Sequence, residues 1–155
     1  MTHTIYVDRD LGKKSAVLTL QYAGPNGNKK VFEKLPVATG QFPFLDGGAD
    51  DWVQGKGGTP FGSHWMSTKK EPLQMTPVGT PFYPIGSEKG GRVIVGPNGQ
   101  RRENIGLHLE NASPGTAGCT ALLHDTPERE CLAWALFAYL DRLNRYEPFI
   151  RFIVL

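Results

Sequence analysis

One histidine and one cysteine lie eleven positions apart in a stretch of small residues, His108 at the end of a predicted strand and Cys119 after a loop. A thiol is a weak nucleophile until it loses its proton, and a nearby imidazole can accept that proton. The small Gly118 before the cysteine lets backbone N–H groups approach a substrate carbonyl as an oxyanion hole. These residue types indicate acyl transfer on a cysteine; the alternative is a cysteine buried as a small hydrophobic residue.

The elements that must position this pair are mainly strands. Residues 15–22 and 30–37 are rich in strand-forming residues and flank Gly24-Pro25-Asn26-Gly27. Because Asn and Gly tolerate a positive φ and Pro presets φ, this tetrapeptide predicts a tight turn between two paired strands. The first third of the chain is therefore predicted to contain a β-hairpin.

The middle of the chain predicts a long loop followed by further strands. Residues 40–62 are Gly-rich, which is typical of a surface loop, and residues 63–68 form a short strand candidate. Residues 92–95 and 105–109 flank Pro97-Asn98-Gly99, which predicts a second hairpin whose last strand carries the histidine.

A single helix and a final strand are predicted at the C-terminal end. Thr126 is a suitable N-cap, Pro127 suits the first helical position, and Arg145 lies near the predicted helix end. Apolar residues follow at spacings of three and four, which predicts a buried helix face; they are Leu132, Leu136, Tyr139, Leu140 and Leu143. Residues 149–155 are almost entirely apolar and predict a core strand. Together these patterns predict a mostly β domain spanning residues 1–155, with one helix near the C-terminus.

Composition excludes several classes of protein. The chain has 155 residues with 17 Lys and Arg against 15 Asp and Glu, and the resulting charge of +2 is scattered, which argues against a nucleic-acid partner. Two cysteines, Cys119 and Cys131, are too few for a four-ligand zinc site, although they could pair with each other. We expect no metal or cofactor, no membrane span and a monomer. Residues 1–10 lack the apolar segment of a signal peptide, so we expect a soluble protein.

Three sequence blocks resemble the L,D-transpeptidase (YkuD-like) catalytic domain. Thr116-Ala117-Gly118-Cys119 is similar to the family's Ser/Thr-His-Gly-Cys signature, which follows a strand ending in His. Upstream, Val37-Ala38-Thr39-Gly40 resembles its Thr-Gly segment, and Thr59-Pro60-Phe61-Gly62 resembles its Thr-Pro-x-Gly motif. The similarity covers residues 15–123, and the order of histidine before cysteine disfavours papain-like and NlpC/P60-like hydrolases.

The resemblance implies a curved sheet or β-sandwich and an activity on peptidoglycan stem peptides. It implies that Cys119 forms a thioester, that His108 is the general base, and that backbone N–H groups at Gly118 and Ala117 hold the oxyanion. In this family a backbone carbonyl usually orients the histidine. The acyl group would pass to an amine (transpeptidase) or to water (carboxypeptidase). A site of action at the cell wall implies release or secretion by another route, and the protein is cytoplasmic otherwise.

The sequence also departs from the family pattern. Ala117 stands where the family has a second His, and Ala121 stands where it has an Arg. These departures resemble a divergent branch, as in phage or secreted wall-targeting proteins. They leave two alternatives open, which are a peptidoglycan hydrolase on the same scaffold and a non-catalytic wall-binding module.

Four further residues are considered as substrate-binding groups. His64 follows the Thr-Pro-Phe-Gly block, and Glu110 lies two residues beyond His108, on the same face if the strand continues. Arg101 or its neighbour Arg102 can replace the missing arginine as partner for a substrate carboxylate. The alternatives are a polar strand position for the histidine and solvated surface positions for the other three.

Overall fold

The computed structural model describes residues 2–9, 16–40, 52, 57–72, 80–110 and 119–155. The strands are β1 (Thr2–Arg9), β2 (Ala16–Gly24), β3 (Gly27–Thr39), β4 (Gly62–Ser67), β5 (Glu71–Pro72), β6 (Pro81–Gly86), β7 (Val93–Val95), β8 (Arg101–Glu103), β9 (Gly106–Leu109), β10 (Thr120–Leu122) and β11 (Phe149–Val154), and helix α1 spans Pro127–Leu143. The prediction of a mostly β fold with a helix and a final strand at the C-terminal end is confirmed.

The predicted N-terminal hairpin is present as β2 and β3. The two strands pair in an antiparallel register from Ala16 opposite Val37 to Gly24 opposite Gly27. Pro25 and Asn26 form the turn, and Gly27 has a φ of 100°, a conformation that glycine adopts without steric cost. Local turn chemistry therefore sets where the two strands meet.

Nine of the described strands form one sheet, and eight of these close into a barrel. The order is β4-β11-β1-β2-β3-β10-β9-β6-β5, and an additional pairing of β4 with β6 closes the sheet. β1 runs parallel to β11 and β9 runs parallel to β10, while the other pairs in this sheet are antiparallel. The final strand, β11, lies between β1 and β4 and completes the closure.

The predicted second hairpin has a different partner. β7 pairs with β8, with Ile94 opposite Arg102, across the turn that contains Pro97-Asn98-Gly99. The strand that carries His108, β9, instead pairs with β6 and β10 in the barrel. Asn104 separates β8 from β9 with a φ of 58°, which ends one strand and redirects the chain into the other.

Helix α1 packs one face against the barrel core. The Oγ1 atom of Thr126 accepts a hydrogen bond from the backbone N–H of Arg129 at 3.1 Å, which confirms the predicted N-cap. The buried side chains of the helix are Ala133, Leu136, Phe137, Leu140 and Leu143. Leu132 is 38% exposed, so its assignment to the buried face was wrong. Ala133 and Phe137 are buried instead, so the buried face of the helix is rotated away from Leu132.

Alternation along β9 separates the core from the outer face of the barrel. Leu107 and Leu109 belong to the buried core, so Gly106 and His108 point to the opposite side of the sheet. Most of the predicted loop at residues 40–62 lies outside the described residues; of its described residues, which are 40, 52 and 57–62, only Gly62 belongs to a strand, as the first residue of β4. In the part of the chain that the structure describes, no helix has the length and apolarity needed to cross a membrane.

Candidate functional site

The register of two adjacent parallel strands relates Cys119 to His108. Ala121 lies opposite His108 and Thr120 opposite Leu107, so Cys119, which directly precedes β10, continues the register opposite Gly106. Alternation then puts the side chains of Cys119 and His108 on the same outer face. Strand geometry gives a Cα–Cα separation of about 8 Å between the two residues.

His108 has its ring orientation set by a backbone carbonyl. The side chain is 5% exposed, and its Nδ1 atom donates a hydrogen bond to the carbonyl oxygen of Leu109. Because a carbonyl oxygen can only accept, we assign the proton to Nδ1, and Nε2 of the neutral ring is then the available base. Burial lowers the pKa of His108, and the Leu109 hydrogen bond partly offsets this effect. The imidazole is therefore neutral near neutral pH.

Cys119 is a partly exposed thiol in its protonated form. Its Sγ atom donates to the carbonyl oxygen of Asn104 at 3.5 Å. Burial of the sulfur raises the pKa of the Cys119 thiol to about 11, although a hydrogen bond from the Gly106 backbone and the positive charge of Arg102 both lower it. Thiol and imidazole are thus both neutral near neutral pH.

Alkylation of Cys119 by iodoacetamide is expected to be slow at neutral pH. Only the thiolate reacts, and with a pKa of about 11 its population rises about tenfold per pH unit between pH 7 and pH 10. The measurement is the alkylation rate against pH in a Cys131→Ser background, and the Cys119→Ser variant gives the rate of Cys131 alone. A plateau reached below about pH 8.5 would contradict a protonated resting thiol.

Phe82 and Gly106 form the surroundings of the histidine on this outer face. The Phe82 and His108 rings lie 6.2 Å apart between centroids. A Cβ atom on Gly106 would come within 2.4 Å of the Phe82 ring and 2.7 Å of the Tyr83 carbonyl oxygen, so only glycine fits there. The absence of a side chain at Gly106 lets the phenyl ring cover the strand beside the histidine.

Arg102 is the candidate residue whose position the sequence analysis predicted incorrectly. Its side chain is fully buried, and its guanidinium donates to the carbonyl oxygens of Gly58 at 3.3 Å and Gly57 at 3.2 Å. The assignment of this arginine to a solvated surface position was therefore wrong. The three residues of this strand, Arg101–Glu103, are all charged, so the sequence carries no signal that the middle one is buried.

Two of the sequence blocks named in the resemblance meet at a cluster of threonines, together with the residue that follows the third block. Thr59 donates from its backbone N–H to Thr39 Oγ1 at 2.7 Å, and the hydroxyl of Thr39 lies 3.2 Å from that of Thr59. The Thr59 hydroxyl is also 2.9 Å from that of Thr120, the residue after Cys119. All three threonines are buried. This network ties the residue next to the cysteine to two distant segments of the chain.

The other candidate residues lie apart from this pair or at its margin. His64 pairs in register with the core residue Phe152, so it faces the barrel interior, where Nε2 donates to the Pro60 carbonyl at 2.7 Å. Burial lowers the pKa of His64. Arg101 is exposed, with an ion-pair distance of 3.8 Å to Glu103. Neither side chain shares the outer face that carries the cysteine and the histidine.

Glu110 follows directly after the histidine strand. Its backbone N–H donates to Leu122 at 2.9 Å, and its carbonyl accepts from His124 Nε2 at 2.7 Å, which extends the ladder by one residue. The predicted same-face position of Glu110 and His108 is thus consistent with the backbone. Ala117 and Gly118, the predicted oxyanion-hole residues, lie outside the described residues.

Neither a metal centre nor a disulfide is found in the described part of the chain. No group of three or more His, Cys, Asp or Glu side chains among those residues is arranged to hold a metal ion. Cys119 and Cys131 are both free thiols. Comparison of the chain with protein-family models, curated proteins and solved structures found no match.

Proposed function

We propose that this protein is a cysteine-dependent acyl-transfer enzyme that acts on peptidoglycan stem peptides through a thioester on Cys119. The observation that supports the proposal is the register of β9 and β10. Continued by one residue to Cys119, this register and the alternation of side chains give Cys119 and His108 the same face of two adjacent strands. The acyl-transfer chemistry rests on these two side chains. The substrate class rests on the resemblance of the three sequence blocks to the L,D-transpeptidase catalytic domain.

The tautomer of His108 supports its role as general base. With Nδ1 donating to Leu109, the lone pair of Nε2 is free to accept the thiol proton. The hydrogen bond also supplies the orientation that an Asp or Asn gives the histidine in other catalytic sites. No carboxylate is needed for this function, which agrees with the expectation drawn from the resemblance.

The neutral resting pair favours proton transfer that accompanies attack. Nε2 of His108 takes the proton from Sγ of Cys119 while the sulfur attacks the scissile amide carbon, and the carbonyl oxygen becomes an oxyanion. When the tetrahedral intermediate collapses, the C–N bond breaks and the imidazolium returns its proton to the leaving amine, leaving a thioester. An acceptor amine or water, deprotonated by the same histidine, then attacks the thioester, and the thiol leaves with the proton.

Arg102 supports this chemistry through its positive charge. Its positive charge favours negative charge on the Cys119 sulfur, as its contribution to the thiol pKa indicates. The guanidinium also holds the carbonyls of Gly57 and Gly58, directly before Thr59 of the threonine cluster. The buried arginine therefore acts on the charge of the cysteine sulfur and also holds the segment whose Thr59 contacts Thr120.

A stem-peptide reaction followed by mass spectrometry tests the proposal. The purified protein is incubated with a synthetic stem tetrapeptide ending in a D-amino acid, with and without a different D-amino acid as acceptor. We expect loss of the terminal residue and an acyl adduct on Cys119. Incorporation of the acceptor indicates a transferase, and a water-derived product indicates a carboxypeptidase or hydrolase. Unchanged peptide and no adduct contradict the proposal and favour a wall-binding module.

A further inference from the structure

A cavity lies between helix α1 and the strands β5 and β6. It has a volume of about 490 Å³, within the range of small-molecule sites. Its lining combines aromatic, aliphatic and polar side chains, and the residues used below are Lys70, Glu71, Trp134, Phe137 and Asp141.

This cavity is separate from the site at Cys119. Its strand contribution includes Pro81, which alternates with Phe82 along β6, and Phe82 lies beside His108 on the outer face of the barrel. On the cavity side, the hydroxyl of Tyr83 donates to Asp141 at 2.9 Å. A ligand in the cavity and a substrate at the cysteine thus occupy opposite sides of the same strand.

The charges at the cavity are paired within the protein. Lys70 Nζ lies 2.9 Å from Asp141 Oδ2, and Glu71 forms an ion pair with Arg92. Both of these carboxylates therefore have a cationic partner. The lining thus offers hydrogen-bonding groups without an excess charge that would favour an ionic ligand. Such a lining matches a neutral ligand that carries several hydroxyl groups.

Trp134 provides an apolar platform at the same cavity. Its side chain is 43% exposed although it is large and aromatic, and an edge-to-face contact with Phe137, at 5.6 Å between centroids, holds the indole in place. An exposed ring of this kind offers its surface to the C–H face of a flat or puckered ring. The hydroxyl groups of that ring would then reach the Lys70 and Asp141 pair.

We propose that this cavity binds a neutral pyranose ring of a glycan. A pyranose combines an apolar C–H face, which fits the Trp134 indole, with equatorial hydroxyls, which fit paired charged groups such as Lys70 and Asp141. Binding at this cavity does not require the reaction at Cys119 and is independent of it.

Titration calorimetry with neutral oligosaccharides tests the site. The probes are the tetramers of N-acetylglucosamine and of glucose, each raised to about 10 mM, a range that detects weak sugar binding. We expect saturable binding to at least one probe, and Trp134→Ala is expected to weaken it about tenfold or more, as for an aromatic anchor. Trp134→Phe is expected to retain part of the affinity.

Matched variants test whether the sugar binds at this cavity and not elsewhere on the protein. Trp65→Phe is the control, because the Trp65 ring lies against Lys89 and Arg151 and not at the cavity. Cys119→Ala is expected to leave sugar binding unchanged, so failure of the acyl-transfer proposal does not affect the result. Asp141→Asn keeps the side-chain shape and is expected to weaken binding. Binding that survives Trp134→Ala, or no saturable binding to either probe, overturns the proposal.

Discussion

Replacement of Cys119 by alanine is expected to abolish conversion of a stem tetrapeptide, with a loss of about 10⁴-fold or more. The sulfur forms the only covalent bond to the acyl group in the proposed pathway, and a methyl group cannot replace it. Since Cys119 is partly exposed and its Sγ donates a weak hydrogen bond to the Asn104 carbonyl, the substitution is expected to retain the fold. The measurement is the initial rate of release of the terminal D-amino acid.

The second cysteine provides the matched control for this experiment. Cys131 is exposed on α1, and Cys131→Ala is expected to leave the rate unchanged. Thermal unfolding of both variants checks that each is folded. A Cys119→Ala protein that keeps its activity would show that another nucleophile is used, and the proposed mechanism would then be wrong.

Replacement of His108 by glutamine is expected to lower kcat/KM about 10²- to 10⁴-fold, the usual contribution of general acid–base catalysis. Glutamine approximates the size of the ring and can still donate to the Leu109 carbonyl, so the fold is retained while the base at Nε2 is lost. Because the resting thiol has a raised pKa of about 11, little thiolate forms without this base. The measurement is kcat/KM for the stem peptide.

The pH profile gives an independent readout of the same residue. Burial lowers the pKa of His108 in the folded protein, so the active, neutral form persists below the ordinary value of 6.5. Activity is therefore expected to fall only when the pH drops through that lowered pKa, and the His108→Gln variant is expected to lose this acid limb. His64→Gln is the control, because this second buried histidine faces the barrel interior. Loss of the acid limb in the His64 variant alone would contradict the assignment.

Local sequence patterns predicted some elements well and one pairing wrongly. The hairpin around Pro25 and Asn26 and the helix that begins after Thr126 depend on turn and capping chemistry within a few residues. The turn at Pro97-Asn98-Gly99 was also predicted correctly. Its returning strand was not, because Arg101–Glu103 directly after the turn pairs with β7. The left-handed backbone of Asn104 then separates this strand from residues 106–109, which pair in the barrel.

At the candidate site, too, the sequence predicted some features and missed others. The residue types and order of His108 and Cys119 were evident in the sequence, as was the expectation that a backbone carbonyl orients the histidine. The burial of Arg102 was not, since whether an arginine points to solvent or to buried carbonyls depends on which segments pack around it. The exposure of Trp134 beside a cavity likewise depends on how α1 packs against the strands, and its place in the helix does not predict it.

The sequence by itself determined the mostly β class, the N-terminal hairpin, the capped helix and the presence of a cysteine with a histidine eleven positions before it. These features depend on backbone preferences and side-chain chemistry that act over short distances along the chain. Only the tertiary structure decided that β4 meets β6 to close the barrel, that β9 lies parallel to β10, and that the thiol is held protonated. Those outcomes depend on desolvation and on contacts between segments far apart in sequence, which no local pattern encodes.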